Sequence, residues 1–314
     1  MSSYLCLGLM SPYLINEPDY PSDILLMGGT AFGALEGVRL FTESCVPVAY
    51  VGEDFDDIYE EWMLRHSIAK TFLVPRDLPC PRIRQQTADH GFSSRDRKNL
   101  PSFAPDLPLI SSATGFDTKG ISISLSAQDP AFWLELYDQK SRYGFKLVWQ
   151  YCPDETMSAN EQENVRRILS YCDLWSVNME QASRLFGMPK GDCQEIAEHI
   201  MNMPAPLTLL RNGEHGSYVI TSSDIVFCEA VRLCETLDNR GCGSVSTGAA
   251  LYALCEGYAP AMVGIFANTA AGYHASQSGP VDPVSSHIMR EILDRISEQY
   301  VSMSLTRRKK AEKT

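Results

Sequence analysis

The chain lacks the cysteine and histidine spacing of a metal site. It has 10 cysteines and 6 histidines, but no C-x-x-C pair and no cluster of histidines. Because structural zinc sites draw on closely spaced Cys and His ligands, we do not expect a zinc site. Most cysteines lie in apolar stretches such as YLCLGLM (4–10), which indicates buried, reduced thiols and not a disulfide framework.

Positive charge is also scarce. Lys and Arg number 27 against 39 Asp and Glu, so the net charge is −12. This balance argues against nucleic acid or an anionic membrane as a partner, since both repel acidic surfaces. No apolar run reaches the about 18 residues that a membrane-spanning helix needs, and no basic segment followed by an apolar core is present at the start. We therefore expect a cytoplasmic protein that binds small molecules.

The chain does contain a regular alternation of apolar strands and amphipathic helices. VPVAYVGED (46–54), GISISLS (120–126) and FKLVWQYC (145–152) are typical of buried strands. DIYEEWMLRHS (57–67) and PAFWLELYDQKSRYG (130–144) are typical of helices, and Gly144 is suited to end the second. Strands that alternate with helices in this way predict a mainly parallel sheet with helices on both faces.

A glycine turn near the C-terminal end indicates a binding site for an anion. Gly241 and Gly243 flank Cys242, and we expect a helix to begin directly afterwards at Ser244. Two glycines around one small residue allow a tight turn whose N–H groups face the same way. The start of the following helix adds partial positive charge, so the turn is suited to phosphate.

Several longer motifs place this turn in a family context. DNRGCGS (238–244) resembles the D-T-x-G-A-G-D signature of the ribokinase-like (PfkB) family of sugar and nucleoside kinases. LLRNGEHGSYVIT (209–221) is similar to the nucleotide-contacting strand of that family, and LWSVNMEQASRLFG (174–187) to the segment with its N-x-x-E motif. MGGTAFGALEGVRLF (27–41) resembles the N-terminal signature, and GIFANTAAGYHASQSGP (264–280) the helix beside the adenine. The motifs follow the family order over nearly the whole chain.

The resemblance implies a ribokinase-like three-layer α/β fold with a small β lid over the substrate. The predicted α/β core comprises residues 1–11, 28–70 and 114–304, and residues 305–314 form a basic tail. The predicted lid comprises residues 12–27 and 71–113, and the second of these ranges holds six of the 18 prolines. In the family the lid can pair with a second subunit, so a homodimer through the lid is a candidate.

The resemblance also implies roles for particular residues. The predicted catalytic residues are Gly241, Cys242, Gly243 and Ser244. The predicted nucleotide-side residues are Asn178, Arg211, Gly213, Gly216, Asp238 and Asn268, with a surface position as the alternative for Arg211 and helix packing for Asn268. The predicted substrate residues are Ser11, Gly28, Gly29 and Gly33, and Gln181 would reach Mg²⁺ through water. ATP and Mg²⁺ are the implied cofactors, and a monovalent cation held by Asp238 is a further candidate.

Four positions depart from the family pattern. Ser244 stands where the family has its catalytic Asp, and Gln181 where it has the Glu of N-x-x-E. Gly33 stands at a sugar-binding Asn, and Ser11 is the one polar candidate where a substrate-binding Asp is expected. A serine hydroxyl cannot take a proton near neutral pH without a base, and Ser244 is suited to cap the helix start instead. Loss of general-base assistance slows transfer by about 10²–10⁴-fold without abolishing it.

Three functions therefore remain open. The first is ATP-dependent phosphoryl transfer to a hydroxyl of a sugar-like or nucleoside-like small molecule. The second is a catalytically degenerate protein of the same fold, which binds a nucleotide or metabolite without phosphorylating it. A different phosphate chemistry on the same turn is the third.

Overall fold

The computed structural model describes residues 3–16, 24–86, 103–127, 129–153, 160–188, 192–233, 235–281 and 286–311. The strands are β1 (Ser3–Leu7), β2 (Tyr13–Asn16), β3 (Ile24–Leu26), β4 (Cys45–Val51), β5 (Leu73–Pro75), β6 (Ile83–Gln86), β7 (Thr118–Leu125), β8 (Lys146–Tyr151), β9 (Leu174–Asn178), β10 (Thr208–Arg211), β11 (Ser217–Ile220) and β12 (Ile225–Cys228). The helices are α1 (Thr30–Arg39), α2 (Phe55–Arg65), α3 (Leu107–Ala113), α4 (Pro130–Tyr143), α5 (Glu161–Leu169), α6 (Met179–Phe186), α7 (Cys193–Met201), α8 (Cys242–Cys255), α9 (Pro260–Ala275) and α10 (Ser286–Ala311).

The described strands form one large sheet of nine strands in the order β12-β11-β10-β9-β8-β7-β1-β4-β5. The strands from β10 to β5 run parallel, whereas β11 is antiparallel to both of its neighbours. One hydrophobic core joins the sheet to α1, α2, α8, α9 and α10, and a second core joins the opposite face to the helices from α3 to α7. The three-layer α/β arrangement predicted from the sequence is confirmed.

Local sequence explains why the elements begin and end where they do. Helix α4 begins at Pro130, and Asp129 caps it by accepting hydrogen bonds from the next amides at 3.2 and 3.3 Å. It ends at Gly144, whose φ of 78° is the left-handed conformation that favours glycine. Strand β8 follows, and every residue of it after Lys146 is buried, as expected for a central strand covered on both faces.

A second, small sheet lies beside the main body. Strands β3, β2 and β6 form it, with Tyr13, Ile15 and Ile83 as its buried centre. Of the described residues in the range 71–113, only those of β6 belong to this sheet, because β5 pairs with β4 at the edge of the main sheet and α3 packs on α4 and β4. Residues 17–23 and 87–102 of the predicted lid lie outside the described residues. The division of the chain into core and lid therefore stays a prediction.

The last described helix reaches further than the sequence predicts. Helix α10 continues to Ala311, and so it includes the backbone of most of the predicted basic tail at 305–314. Its Ile292 and Ile296 are buried against the body, whereas Tyr300 is 41% exposed. None of the helices in the described ranges is both long enough and apolar enough to cross a bilayer.

Helices α1 and α8 pack against each other through backbone contacts. A Cβ on Gly37 would lie 2.0 Å from the carbonyl oxygen of Val245, and one on Gly248 would lie 2.0 Å from that of Ala34. Real Cβ atoms do not approach a carbonyl so closely, so glycine is required on both helices. This close crossing fixes the start of α8 against the start of α1.

We predict that Gly248→Ala lowers the free energy of unfolding by about 1–3 kcal/mol, because the added methyl group forces the two helices apart. Helix propensity alone predicts the opposite sign, a gain of up to about 1 kcal/mol. Urea unfolding followed by circular dichroism measures the difference. Gly115→Ala is the matched control, since the nearest atom to its Cβ would be the Asp117 carboxylate at 3.3 Å. Equal or greater stability of Gly248→Ala would contradict the packing argument.

Candidate active site

The glycine turn lies where the chain enters α8. Gly241 is the N-cap with φ 80°, and the helix begins at Cys242. The predicted start at Ser244 is wrong, because the left-handed conformation of Gly241 lets the chain turn into the helix two residues earlier. The amides of Ser244 and Val245 bond to the Gly241 carbonyl at 2.8 and 3.0 Å. The amides of Cys242 and Gly243 come first in the helix, where no helical carbonyl is available to them.

Ser244 is held against the sheet and does not cap the helix. It is the third residue of α8, so the predicted N-cap role is wrong. Its side chain is 6% exposed, and Gln150 of β8 donates from Nε2 to its Oγ at 3.1 Å. Ser124 of β7 in turn donates to Gln150 Oε1 at 3.1 Å. This chain of hydrogen bonds ties the first turn of α8 to the carboxyl ends of two central strands.

Gly33 meets Ser244 directly. A Cβ on Gly33 would lie 2.8 Å from Ser244 Cβ and 3.3 Å from the Gly241 carbonyl oxygen. The space that a side chain would need at the position of the family's sugar-binding Asn is therefore occupied by the start of α8. Gly33 and Ser244, two of the departures from the family pattern, thus contact each other in the structure.

The double glycine before α1 packs on the segment that follows β1. A Cβ on Gly29 would lie 2.2 Å from a backbone oxygen, and one on Gly28 would lie 2.4 Å from the Tyr13 ring. Ser11 is buried, its hydroxyl donates to the Pro81 carbonyl and its amide bonds to Gly28 at 3.0 Å. These contacts explain the glycines by packing, and a substrate contact by Ser11, Gly28 or Gly29 stays a prediction.

Arg211 ends β10 and places its guanidinium beside the glycine turn. Its Nε donates to Ser176 Oγ at 3.1 Å, and a Cβ on Gly243 would lie 2.1 Å from its Nη1. Ser176 Oγ also shares a hydrogen bond of 2.7 Å with Thr247 Oγ1 of α8. No carboxylate of the described ranges pairs with Arg211, and burial lowers its pKa to about 10. The group keeps its charge at neutral pH, so the turn combines free amides with a cation.

Asn178 and Gln181 form a capping box at the start of α6. The amide of Gln181 donates to Asn178 Oδ1 at 2.7 Å, and the amide of Asn178 donates to Gln181 Oε1 at 3.0 Å. Glutamine serves this motif as well as glutamate, so the substitution keeps the helix start. Within the ranges that the structure describes, no group of three or more His, Cys, Asp or Glu could hold a metal ion.

Gly213, Gly216 and Asn268 lie on the β10–β12 side of the sheet. Gly213 and Gly216 adopt φ of 57° and 94° in the turn after β10, and a Cβ on Gly216 would lie 2.3 Å from the Cys228 carbonyl oxygen. Asn268 Nδ2 donates to the carbonyls of Cys228 and Glu229, each at 2.9 Å. Gly216 and Asn268 thus both lie at the end of β12, and the two hydrogen bonds of Asn268 hold α9 against that strand end.

Cys242 and Asp238 complete the set of predicted residues around the turn. Burial raises the pKa of the Cys242 thiol to about 12, so the helix start does not activate it, and its Sγ lies 3.6 Å from the Ala271 carbonyl oxygen. Asp238 forms an ion pair with Arg240 at 2.6 Å. The functional interest of Cys242 therefore lies in its backbone amide.

A cleft runs from the small sheet to the glycine turn. Its lining residues are Tyr13, Leu26, Met27, Gly28, Gly29, Phe32, Gly33, Glu36, Asp238, Arg240, Gly241, His274, Gly279 and Pro280. The cleft joins the predicted substrate glycines to the predicted phosphate site. It is therefore the candidate place for a small-molecule ligand, since such ligands commonly bind in clefts.

Three titratable residues of this cleft were not predicted from the sequence: Glu36, Arg240 and His274. Glu36 Oε1 accepts from the Val281 amide at 2.7 Å, and its Oε2 lies 3.6 Å from His274 Nδ1. His274 Nε2 donates to the Arg240 carbonyl at 2.6 Å. Burial raises the pKa of Glu36 to about 8 and lowers the pKa of His274, so the two side chains carry little charge near neutral pH. The one sequence signal for Glu36 was a glutamate among the otherwise apolar residues 31–38 of α1.

Comparison with known protein families and sequences gives one match. The family model described as pfkB family carbohydrate kinase matches residues 97–287. No curated protein sequence matches the chain.

Solved structures match across nearly the whole chain. The ribokinase of Giardia lamblia superposes with a TM-score of 0.75 at 16% identity, covering 94% of this chain and 99% of that one. The Burkholderia thailandensis nucleoside kinase in complex with inosine gives 0.71 at 16%, covering 94% and 96%. A fructokinase double mutant from Vibrio cholerae O395, with fructose, ADP and potassium bound, gives 0.74 at 16%, covering 93% and 98%. These matches confirm the ribokinase-like fold.

Proposed function

Because the chain belongs to the pfkB family of carbohydrate kinases, we propose that it transfers the γ-phosphoryl group of ATP to a hydroxyl of a sugar-like or nucleoside-like small molecule. The solved relatives support the two substrate classes, since one holds fructose with ADP and another holds inosine. ATP and Mg²⁺ are the proposed cofactors. A homodimer through the small sheet stays a prediction.

The observation that carries the proposal is the cation beside the glycine turn. Arg211 contacts Gly243, and within the described ranges no carboxylate neutralises it. A half-buried charge without a counter-ion is costly, and bound phosphate would remove that cost. The same phosphate would accept hydrogen bonds from the first amides of α8.

The residues that would hold the nucleotide's phosphates are therefore Cys242 and Gly243, through their amides, and Arg211, through its guanidinium. Mg²⁺ supplies further charge neutralisation when it is bound. The described residues offer no ligand cluster, so phosphates and water would hold the ion. Ser244 would orient the acceptor hydroxyl but cannot serve as a base, which predicts a slow kinase.

A panel of sugars and nucleosides with ATP and Mg²⁺ tests the proposal. We expect at least one acceptor to raise the release of ADP above the rate of ATP hydrolysis alone. The control is the variant Gly243→Asp, which should not transfer phosphate. If no acceptor raises the release of ADP, and the rate equals that of this variant, the kinase proposal is contradicted.

We predict that Arg211→Met weakens the binding of ATP by about 10- to 100-fold, because a charge-assisted hydrogen bond contributes about 1.5–3 kcal/mol. Titration calorimetry with Mg²⁺ present measures the affinity. Arg232→Met is the matched control, since that side chain is 72% exposed and lies 3.4 Å from Glu214 on the surface. Wild-type affinity in both variants would rule out a phosphate site at Arg211.

A second candidate is a protein that binds a nucleotide or metabolite without phosphorylating anything. The buried Ser244 at the base position and the closed contact between Gly33 and Ser244 favour it. It predicts that ATP raises the thermal midpoint of unfolding while no acceptor increases the release of ADP. The thermal midpoint with ATP, measured beside the ADP release of the panel, therefore separates the two functions.

A further inference from the structure

The loop before the glycine turn does not fit a bound monovalent cation. The family resemblance assigns Asp238 to hold such an ion, yet both of its carboxylate oxygens are already taken by Arg240. Arg240 Nε donates to Oδ1 at 2.7 Å, Nη2 donates to Oδ2 at 2.6 Å, and the Arg240 amide donates to Oδ1 at 2.9 Å. A planar guanidinium matches a carboxylate in this two-point manner, which a lysine cannot reproduce.

The ion pair is largely removed from solvent. The side chains of Arg240 and Asp238 are 15% and 10% exposed. An ion pair with so little water around it is screened weakly by salt, and loss of either partner would leave a buried charge. A dissolved cation would therefore have to displace the Arg240 guanidinium. Because the guanidinium is attached to the same loop as Asp238, its effective concentration there is far higher than that of a dissolved ion.

The same arginine is fixed from other sides. His274 donates to the Arg240 carbonyl at 2.6 Å, and the Leu237 amide donates to the Ala275 carbonyl at 2.8 Å. The Arg240 guanidinium also lies 5.7 Å from the centre of the Tyr13 ring in the small sheet. The loop that leads into Gly241 is thus anchored to the end of α9 and to β2 by groups of the protein itself.

We propose that Arg240 is a built-in substitute for the monovalent cation, so that the glycine turn keeps its position without potassium. Arg240 is then a positioning residue, which acts on the transferred phosphate through the loop from Asp238 to Gly241. The inference rests on the proposed kinase function only where turnover is measured. Its central claim, that the native protein neither needs nor binds the ion at Asp238, is independent of any reaction.

The test compares potassium chloride with choline chloride at equal ionic strength, in the wild type and in Arg240→Thr. We expect the thermal midpoint and the ATP affinity of the wild type to be the same in both salts. Arg240→Thr exposes Asp238 to solvent cations, so its thermal midpoint should fall in choline chloride and recover in part in potassium chloride. If turnover is observed, it should fall about tenfold in choline chloride and recover in the same way, since the loop positions the turn.

Two further variants complete the experiment. Arg240→Lys keeps the positive charge and should stay indifferent to potassium, although its midpoint drops because the two-point contact is lost. Arg232→Thr, at the exposed arginine, should behave as the wild type in both salts. A wild-type midpoint that rises with potassium would overturn the proposal, and so would an Arg240→Thr variant that is as indifferent to potassium as the wild type. Because the midpoint needs no substrate, failure of the kinase proposal would leave this result readable.

Discussion

Replacing Gly243 with aspartate is expected to reduce phosphoryl transfer by about 10³-fold, the loss that follows removal of a preorganised donor at a developing negative charge. The Cβ of the new residue would lie 2.1 Å from Arg211 Nη1, so the guanidinium must move or pair with the new carboxylate. Either outcome removes the free cation from the turn. The carboxylate also adds a negative charge where we propose that phosphate binds, and the two repel each other.

Turnover of the best acceptor at saturating ATP, together with calorimetric affinity for ATP, measures this effect. Gly115→Asp adds the same charge at a glycine whose Cβ would meet nothing closer than 3.3 Å, and should leave both quantities unchanged. The thermal midpoint of each variant shows whether it is folded. A folded Gly243→Asp protein that retains wild-type transfer would place the phosphate site elsewhere.

The layers of the fold could be predicted because local patterns determine them. Strand β8 is a short apolar run that is buried on both faces, and α4 carries Asp129, Pro130 and Gly144 at the positions that start and end a helix. The start of α8 could not be predicted in the same way. The N-cap is Gly241 in the left-handed region, three residues before the serine that the sequence offers as a cap, and the value of φ cannot be read from the sequence.

The candidate site could be predicted only where one segment carries it. The glycine turn is such a segment, and Arg211 was a candidate because it precedes a turn of the family pattern. The environment of Glu36 was hidden, because its partners Val281 and His274 lie more than two hundred residues away along the chain. Arg240 was also missed, because in the sequence it looks like an ordinary loop arginine. Its ion pair with Asp238 becomes visible only in the structure.

The contact between Gly33 and Ser244 changes how the missing carboxylate is interpreted. In the sequence, the two positions are separate losses from the family pattern. In the structure, Ser244 leaves no room for a side chain at position 33. The Ser244 hydroxyl accepts a hydrogen bond from Gln150 at 3.1 Å. An aspartate at position 244 would therefore extend towards Gln150, whose amide can donate to a carboxylate as it does to the hydroxyl.

We predict that Ser244→Asp raises kcat by about 10²-fold or more, because a carboxylate at this position can take the acceptor's proton and general-base assistance contributes about 10²–10⁴-fold. The start of α8 stabilises the negative charge, so the carboxylate should be ionised at neutral pH. The gain should appear in kcat and not as a lower KM, since a base acts on the transition state. Ser244→Asn is the matched control, because asparagine has the same shape as aspartate and the same neighbour in Gln150 but cannot accept a proton. Equal rates for the Asp and Asn variants, with both proteins folded, would show that the acceptor hydroxyl does not lie at Ser244, and would favour the binding protein over the kinase.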